Sequence, residues 1–214
     1  MRRLRPSLAA AACVASLLAL VAGCDKDKKG VEPPAELVDL KPTLAVDKIW
    51  DTGLGGGGEK LRLALGLVLS NGALYTAARD GEVVALDPAS GRPRWSTDTK
   101  SDLSAGPGAG GSVVAVGTSD GQVIALDAAT GKQLWNVTVS SEVLAAPLVT
   151  GDRVIVRSVD GRLHSLDALT GKSQWTGEEP VPRLSLRGTS APVLARDNVI
   201  AGFDSGKVIA FVAA

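Results

Sequence analysis

Short apolar runs recur at a fixed interval through most of the chain. Residues 83–86, 123–126 and 163–166 are near-continuous apolar stretches spaced 40 residues apart, and residues 208–211 form a fourth. Runs that are apolar at consecutive positions, rather than at alternate ones, are typical of β-strands covered on both faces of their sheet. The pattern therefore predicts stacked sheets that cannot bury their apolar faces singly.

Regularly spaced turns divide each interval into strands. Asp-Gly pairs stand at residues 80–81, 120–121 and 160–161, and they supply the positive-φ residue that a tight hairpin needs. Each unit is therefore expected to contain four short strands, which favours a propeller blade over a solenoid coil. We predict an all-β fold with blades at about residues 62–99, 104–140, 144–178 and 189–214, the last one incomplete. A strand near 44–52 would belong to the closing blade.

One tryptophan stands at the same place in each unit. Trp95, Trp135 and Trp175 are 40 residues apart, and Trp50 occupies the matching place in the predicted entering strand. A large side chain repeated at one position suits packing between neighbouring blades, because an indole buries a large area. We expect these four tryptophans to dock adjacent blades rather than to form a ligand-stacking platform.

Composition and charge narrow the class of protein. Hydrophobic residues make up 45% of the chain but aromatic residues only 3%, so the core must consist of Val, Leu, Ile and Ala. The 23 basic and 23 acidic side chains balance, and removal of Arg2, Arg3 and Arg5 with the first 24 residues leaves 20 against 23. This balance argues against a strongly basic nucleic-acid-binding protein.

The sequence offers little material for catalysis or metal binding. Both cysteines, Cys13 and Cys24, lie in the first 24 residues, so no thiolate nucleophile or zinc site is predicted downstream. His164 falls in a strand column otherwise held by Val and Ile, which favours a structural histidine. The glycine run at residues 53–58 is not a phosphate loop, because Lys60 and Leu61 break the motif. The turn aspartates Asp87, Asp127 and Asp167 are expected to accept local backbone N–H groups. No catalytic residue, metal or cofactor is predicted.

The first 42 residues are interpreted as a leader and a tether. A basic start and an apolar run predict a signal peptide at residues 1–23. Residues 21–24 (Val-Ala-Gly-Cys) resemble a bacterial lipobox, which implies lipidation of Cys24. Residues 24–42 are charged and proline-bearing, as expected for a tether. Asp25 resembles an inner-membrane retention signal, so sorting to either membrane stays open.

The repeat segments resemble those of pyrroloquinoline-quinone (PQQ)-type eight-bladed propellers. These segments are DGEVVALDPASGRPRW, DGQVIALDAATGKQLW and DGRLHSLDALTGKSQW. Two families share that fold, the quinoprotein dehydrogenases and the BamB family of lipoprotein subunits of the outer-membrane β-barrel assembly machinery. The dehydrogenases resemble one another in a vicinal disulfide and calcium ligands, and this sequence has no cysteine pair downstream of Cys24. The BamB resemblance is the closer one, and it implies a non-enzymatic scaffold.

The most specific part of this resemblance is the segment at residues 182–192 (PRLSLRGTSAP), which lengthens the connection between the third and fourth blades. It is similar to the BamB loop that contacts a periplasmic polypeptide-transport-associated domain of BamA. By that similarity Leu184, Leu186 and Arg187 are the contact residues. The alternative is that the leucines belong to the first strand of the fourth blade and face the core.

The expected function follows from this resemblance. We expect the amino-terminal half of an eight-bladed propeller, lipid-anchored at the periplasmic face of the outer membrane. It would bind BamA and other subunits of the machinery and assist folding and insertion of β-barrel proteins, with unfolded substrates as further partners. The alternatives are a PQQ-binding oxidoreductase or sensor, and an envelope lipoprotein with another protein or glycan partner.

Overall fold

A computed structural model of the protein describes residues 34–39, 41, 43–56, 63–185 and 188–213. Residues 47–214 form one compact unit, and residues 1–46 are assigned to a second. The described residues contain sixteen β-strands and no helix, so this part of the chain holds no apolar helix long enough to cross a membrane. The all-β prediction is confirmed.

The sixteen strands form four sheets, and fifteen of them follow one repeated antiparallel pattern, whereas β1 (Ala64–Leu65) is a fifth, parallel strand at the edge of the second sheet. The first sheet, or blade, orders β2 (Leu67–Ser70), β3 (Ala73–Ala77), β4 (Glu82–Leu86) and β5 (Pro93–Asp98). The second orders β6 (Leu103–Gly110), β7 (Val113–Thr118), β8 (Gln122–Asp127) and β9 (Gln133–Thr138). The third orders β10 (Leu148–Val149), β11 (Arg153–Arg157), β12 (Arg162–Asp167) and β13 (Ser173–Glu178). The fourth orders β14 (Val193–Ala195), β15 (Asn198–Gly202) and β16 (Val208–Val212).

The pairing register explains why one strand column is small. In each of the first three blades the residue opposite the tryptophan is Ala or Ser, in the pairs Ala85–Trp95, Ala125–Trp135 and Ser165–Trp175. A β-bulge follows that pair in every case. Cross-strand neighbours share a face of the sheet, so a small partner leaves room for the indole.

The hydrophobic core lies between the blades rather than within them. Three clusters of buried residues each combine side chains from two consecutive blades. Representative members are Tyr75 with Val116, Ala115 with Val154, and Ile155 with Val199. Stacking therefore supplies most of the apolar burial, as the consecutive apolar positions in the strands predicted.

The entering segment differs from the prediction. Residues 44–52 form no strand in the structure, and the closing blade to which the prediction assigned them is not among the four described blades. Trp50 is held instead by its side chain, whose Nε1 donates to the Pro88 carbonyl at 3.0 Å. The short strand β1 (Ala64–Leu65) pairs in parallel with β6 of the second blade, and so joins the first two blades near their inner strands.

Candidate partner-binding rim

One edge of the propeller carries both the tight Asp-Gly turns and the connections from blade to blade. We call this edge the connection rim. The residue after each outer strand donates its N–H to the carbonyl of a turn glycine, in the pairs Thr99–Gly81, Val139–Gly121 and Glu179–Gly161 at 2.8–3.0 Å. Each connection therefore begins beside a tight turn, and the three connections are neighbours on one surface.

The third connection is the longest of the three. Its turn glycine, Gly161, precedes the matching Gly206 by 45 residues, whereas the earlier turn glycines are 40 residues apart. The connection begins at Glu179, whose buried carboxylate accepts from Lys207 Nζ at 2.9 Å. That hydrogen bond holds the pKa of Glu179 below its ordinary value. The first turn of the connection is thus tied to both the third and the fourth blade.

Residues 180–192 form the rest of this connection, and we call them the rim segment. Leu184 lies here outside any strand, with 92% of its surface exposed, and β14 begins only at Val193. Leu184 is therefore not part of the first strand of the fourth blade. Leu186 and Arg187, the other two predicted contact residues, lie outside the described residues, as does Cys24.

Three tryptophans share one repeated geometry, and two of them, Trp95 and Trp135, lie between described blades. In each case the indole Nε1 donates to the backbone carbonyl of the residue that directly follows a turn aspartate. The pairs are Trp50–Pro88 at 3.0 Å, Trp95–Ala128 at 2.9 Å and Trp135–Ala168 at 2.8 Å. Trp175 stacks on Phe211, with ring centroids 6.0 Å apart. These contacts hold the blades, and hence the rim, in a fixed relation.

The predicted role of the turn aspartates is confirmed. Asp127 Oδ1 accepts from the Thr130 N–H at 2.8 Å, and Asp87 and Asp167 make the matching bonds with Ser90 and Thr170. The pKa of Asp87 is lowered to about 2. The main cause is the hydrogen bond from the Arg94 guanidinium, and the hydrogen bonds from Ser90 lower it further. The described part of the chain contains no group of His, Cys, Asp or Glu side chains suited to a metal ion.

His164 belongs to a buried polar network on the rim side of the third blade. Only 9% of its surface is exposed, and Nε2 lies 3.1 Å from Ser140 Oγ and 3.0 Å from Ser158 Oγ. Asp160 bonds to Ser158, not to the imidazole, and Ser158 is fully buried. A serine that donates its proton to an aspartate is not activated by the histidine, so this is not a nucleophilic triad. Burial lowers the pKa of His164.

The glycine run is also structural where it is described. The Gly55 N–H donates to Glu82 Oε2 at 3.1 Å, and the Gly56 N–H donates to Asp80 Oδ2 at 2.6 Å. Backbone N–H groups of this kind could cradle an anion, and here the chain's own carboxylates occupy them.

Sequence reasoning missed Arg157, the last residue of β11. Only 2% of its side chain is exposed, and its Nη1 donates to Ser190 Oγ in the rim segment at 3.3 Å. Its Nη2 lies 3.5 Å from Asp204 Oδ2, and its guanidinium carbon lies 4.8 Å from the centre of the Phe203 ring. A cavity of about 310 Å³ adjoins these residues. A comparison of matching positions across the repeats would have singled out this arginine.

The four stacked sheets, their interblade tryptophans and their shared rim define a β-propeller repeat protein. The family described as outer membrane protein assembly factor BamB matches residues 47–105 and 79–214. The chain belongs to this BamB family.

Curated relatives and solved structures agree with this assignment. The BamB of Pseudomonas aeruginosa is 56% identical over 92% of this chain and 52% of its own length, and that of Kangiella koreensis is 51% identical over 91% and 50%. The chain thus spans about half the length of these relatives. The crystal structure of BamB from Moraxella catarrhalis superposes with a TM-score of 0.65 at 31% identity, covering 72% of this chain and 46% of that one.

Propellers with other functions share the fold alone. The quinohemoprotein alcohol dehydrogenase ADHIIG from Pseudomonas putida HK5 gives a TM-score of 0.53 at 20% identity, covering 72% of this chain and 33% of its own. Similarity at this level carries no information about the dehydrogenase chemistry.

Proposed function

We propose that this chain belongs to a non-enzymatic scaffold that binds BamA through the rim segment and assists folding and insertion of outer-membrane β-barrel proteins. The observation that carries the proposal is the exposure of Leu184 on the one lengthened blade connection of a BamB-family chain. Large apolar side chains held out into solvent at a defined place are typical of partner contacts.

The proposed mechanism is orientation of a partner by a rigid rim. Leu184 and Leu186 would supply apolar anchors, and Arg187 would supply a planar donor for a carboxylate of the partner. Because the blades are held by interblade indoles, an anchored domain of BamA would keep a fixed direction relative to the propeller. Other subunits of the machinery would then meet BamA in one arrangement.

Capture of BamA tests this role directly. In the full-length protein, Leu184→Ala, Leu186→Ala and Arg187→Ala should each weaken capture of the periplasmic domains of BamA by about tenfold or more, as expected for interface anchors. Leu169→Ala is the matched control, because Leu169 is a leucine with 63% exposure on the opposite edge. Unchanged capture by the three rim variants would overturn the assignment and favour another envelope partner.

The lipid anchor is a separate part of the proposal. Lipidation at Cys24 would fix the propeller to the membrane, since each buried methylene contributes about 0.8 kcal/mol. Metabolic labelling with palmitate should mark the wild-type protein and not Cys24→Ala. Fractionation of Asp25→Ser against wild type tests sorting, and a shift from inner to outer membrane would show that Asp25 acts as a retention signal.

Unfolded barrel proteins are the further proposed partners. The outermost strands β5, β9 and β13 are last in the order of their sheets, so each has one edge without a neighbour in its sheet. An extended substrate could pair with such an edge by β-augmentation. Photo-crosslinkers placed along β9 should capture nascent barrel proteins, and crosslinking of substrate solely to BamA would contradict this part.

A further inference from the structure

The third blade departs from the repeat at one strand position that faces the rim. The residue four places before the turn glycine is Ala77 in the first blade, Gly117 in the second and Gly202 in the fourth, but it is Arg157 in the third. A long cation has replaced a small residue at the end of a buried strand. Burying a guanidinium is costly unless other groups compensate it.

Two of the groups around Arg157 are departures from the repeat as well. Ser190 stands where the second and third blades have Ala105 and Ala145, and Phe203 stands where the earlier turns have Ala78, Thr118 and Ser158. Asp204 stands at a position that differs in every blade, and it brings a carboxylate close to Arg157 Nη2, which has no hydrogen-bond partner among the described residues. All three residues contact Arg157 and form one cluster with it.

The contacts of this cluster join the third blade to the rim segment and to the fourth blade. Arg157 Nη1 donates to Ser190 Oγ, and Ser190 Oγ donates in turn to the Gly202 carbonyl at 3.2 Å. The Arg157 guanidinium lies over the Phe203 ring and beside the Asp204 carboxylate. The end of the rim segment is therefore fixed from both blades through one side chain.

The earlier connections are fixed in the opposite way. Val143 is fully buried, and a Cβ added to Gly117 would lie 2.4 Å from Val143 Cγ1, so the connection itself fills the seam. The residue that matches Val143 in the third connection is Gly188, which has no side chain to bury. Between the third and fourth blades, strand β11 therefore supplies the large side chain, Arg157, and the connection supplies the small residue, Gly188.

We infer that Arg157 is a positioning residue that anchors the rim segment through Ser190 and so leaves Leu184 free for a partner. The consequence for BamA rests on the proposed function, whereas the anchoring itself does not. In the second connection the anchor is an apolar side chain of the connection itself, Val143, which is buried between the blades. In the third connection an arginine from the strand supplies the anchor instead, and Leu184 stays in solvent.

Spin labelling measures the anchoring independently of any partner. Nitroxides are placed at Leu184→Cys and Gln133→Cys in the full-length protein carrying Cys13→Ser and Cys24→Ser, and the distance distribution between them is recorded. Arg157→Met keeps an apolar contact with Phe203 but removes the donor, and Ser190→Ala removes the acceptor together with the hydrogen bond from Ser190 Oγ to the Gly202 carbonyl. Both variants should broaden the distribution, and Arg157→Lys should restore it only in part, because lysine lacks the planar fork.

Binding is measured on the same substitutions without labels. Arg157→Met and Ser190→Ala should weaken capture of the periplasmic domains of BamA by about three- to tenfold while the circular dichroism spectrum stays that of the wild type. Arg162→Ala is the matched control, an arginine of the same blade whose side chain pairs at the surface with Asp160 and Glu178. It should change neither the distances nor the capture.

The outcomes separate the two proposals. An unchanged distance distribution in folded Arg157→Met and Ser190→Ala would overturn the anchoring role. Broadened distances in a protein whose wild type fails to capture BamA would overturn the proposed function and support the anchoring alone. If Arg157→Met does not fold, Ser190→Ala and Asp204→Asn decide, because each leaves the buried arginine in place.

Discussion

Gly131 lies where the second blade meets the indole of Trp95 from the first. Its φ is 72°, and a Cβ added there would lie 2.6 Å from Trp95 Cε3. Gly72 has nearly the same φ, 68°, but open space around its Cβ position. A side chain at Gly72 would therefore meet only backbone strain, whereas a side chain at Gly131 would meet the same strain and also a clash with the indole of the neighbouring blade.

Substitution of both glycines by alanine tests that difference. Gly72→Ala should lower the free energy of unfolding by about 1–2 kcal/mol through strain alone, and Gly131→Ala should lower it by about 1–3 kcal/mol more. Urea denaturation followed by circular dichroism gives both values. Equal losses for the two variants would show that the indole does not constrain this site.

His164 makes the stability of the third blade depend on pH. Burial is the main reason that its pKa in the folded protein lies below the ordinary 6.5; Asp160 opposes this effect and Arg162 adds to it. The unfolded chain therefore takes up the proton at higher pH than the folded one. The contribution of neutral His164 to the free energy of unfolding is complete above about pH 6.5 and decreases as the pH falls below that value.

His164→Ile removes this titration and places in the third blade the residue that the second blade has at Ile124. The variant should lose less free energy of unfolding than the wild type between about pH 7 and 5. The turn aspartates do not interfere, because their pKa values are lowered and their contribution is lost only in more acidic solution. Parallel curves for the two proteins would contradict the assignment.

Strand β9 shows how one element serves the stack and the surface at once. Trp135 is buried against the third blade, whereas Leu134, the preceding residue, is 40% exposed. Trp135→Ala should cost about 3–5 kcal/mol of unfolding free energy because it opens a cavity between two blades. Leu134→Ala should cost less than about 1 kcal/mol, and a similar cost for both would mean that the seam does not depend on the indole.

The strands were predictable because their determinants are local and repeated. The Asp-Gly turns and consecutive apolar runs specify each hairpin, and the structure follows them in blades one to three. The segment at 44–52 forms no strand among the described residues, and its predicted place in the closing blade stays a prediction, because a strand needs a neighbour and that blade is not among the described ones. The contact roles of Leu186 and Arg187 stay a prediction.

Arg157 was not predictable from its own strand, since in Arg153–Arg157 an arginine stands at each end of three apolar residues, and only the second of the two is buried. Its burial depends on Ser190, Phe203 and Asp204, which lie 33 to 47 residues away and come close only in the folded stack. A non-local cluster of this kind appears in the sequence only when the repeats are compared position by position.

At the scale of the described blades, residues 63–213, the first and the fourth blade each present an apolar face to solvent. Leu67 and Leu69 are exposed on the first blade, and Val193, Val208 and Val212 are exposed on the fourth. In the middle of the stack the equivalent faces are covered by the next blade, as Val123 and Val154 are. Apolar surface of this kind favours association wherever a complementary face is available.

A polypeptide of residues 43–214 is therefore expected to self-associate as its concentration rises, through the faces of its first and fourth blades. Val208→Lys places a charge on the open face, at the first residue of β16, and should shift the sedimentation velocity profile toward the monomer. Leu184→Lys is the matched control, because Leu184 is more exposed than Val208 but lies on the rim rather than on a blade face. If the rim substitution dissociates the assemblies and the face substitution does not, association proceeds through the rim segment and not by stacking of blades.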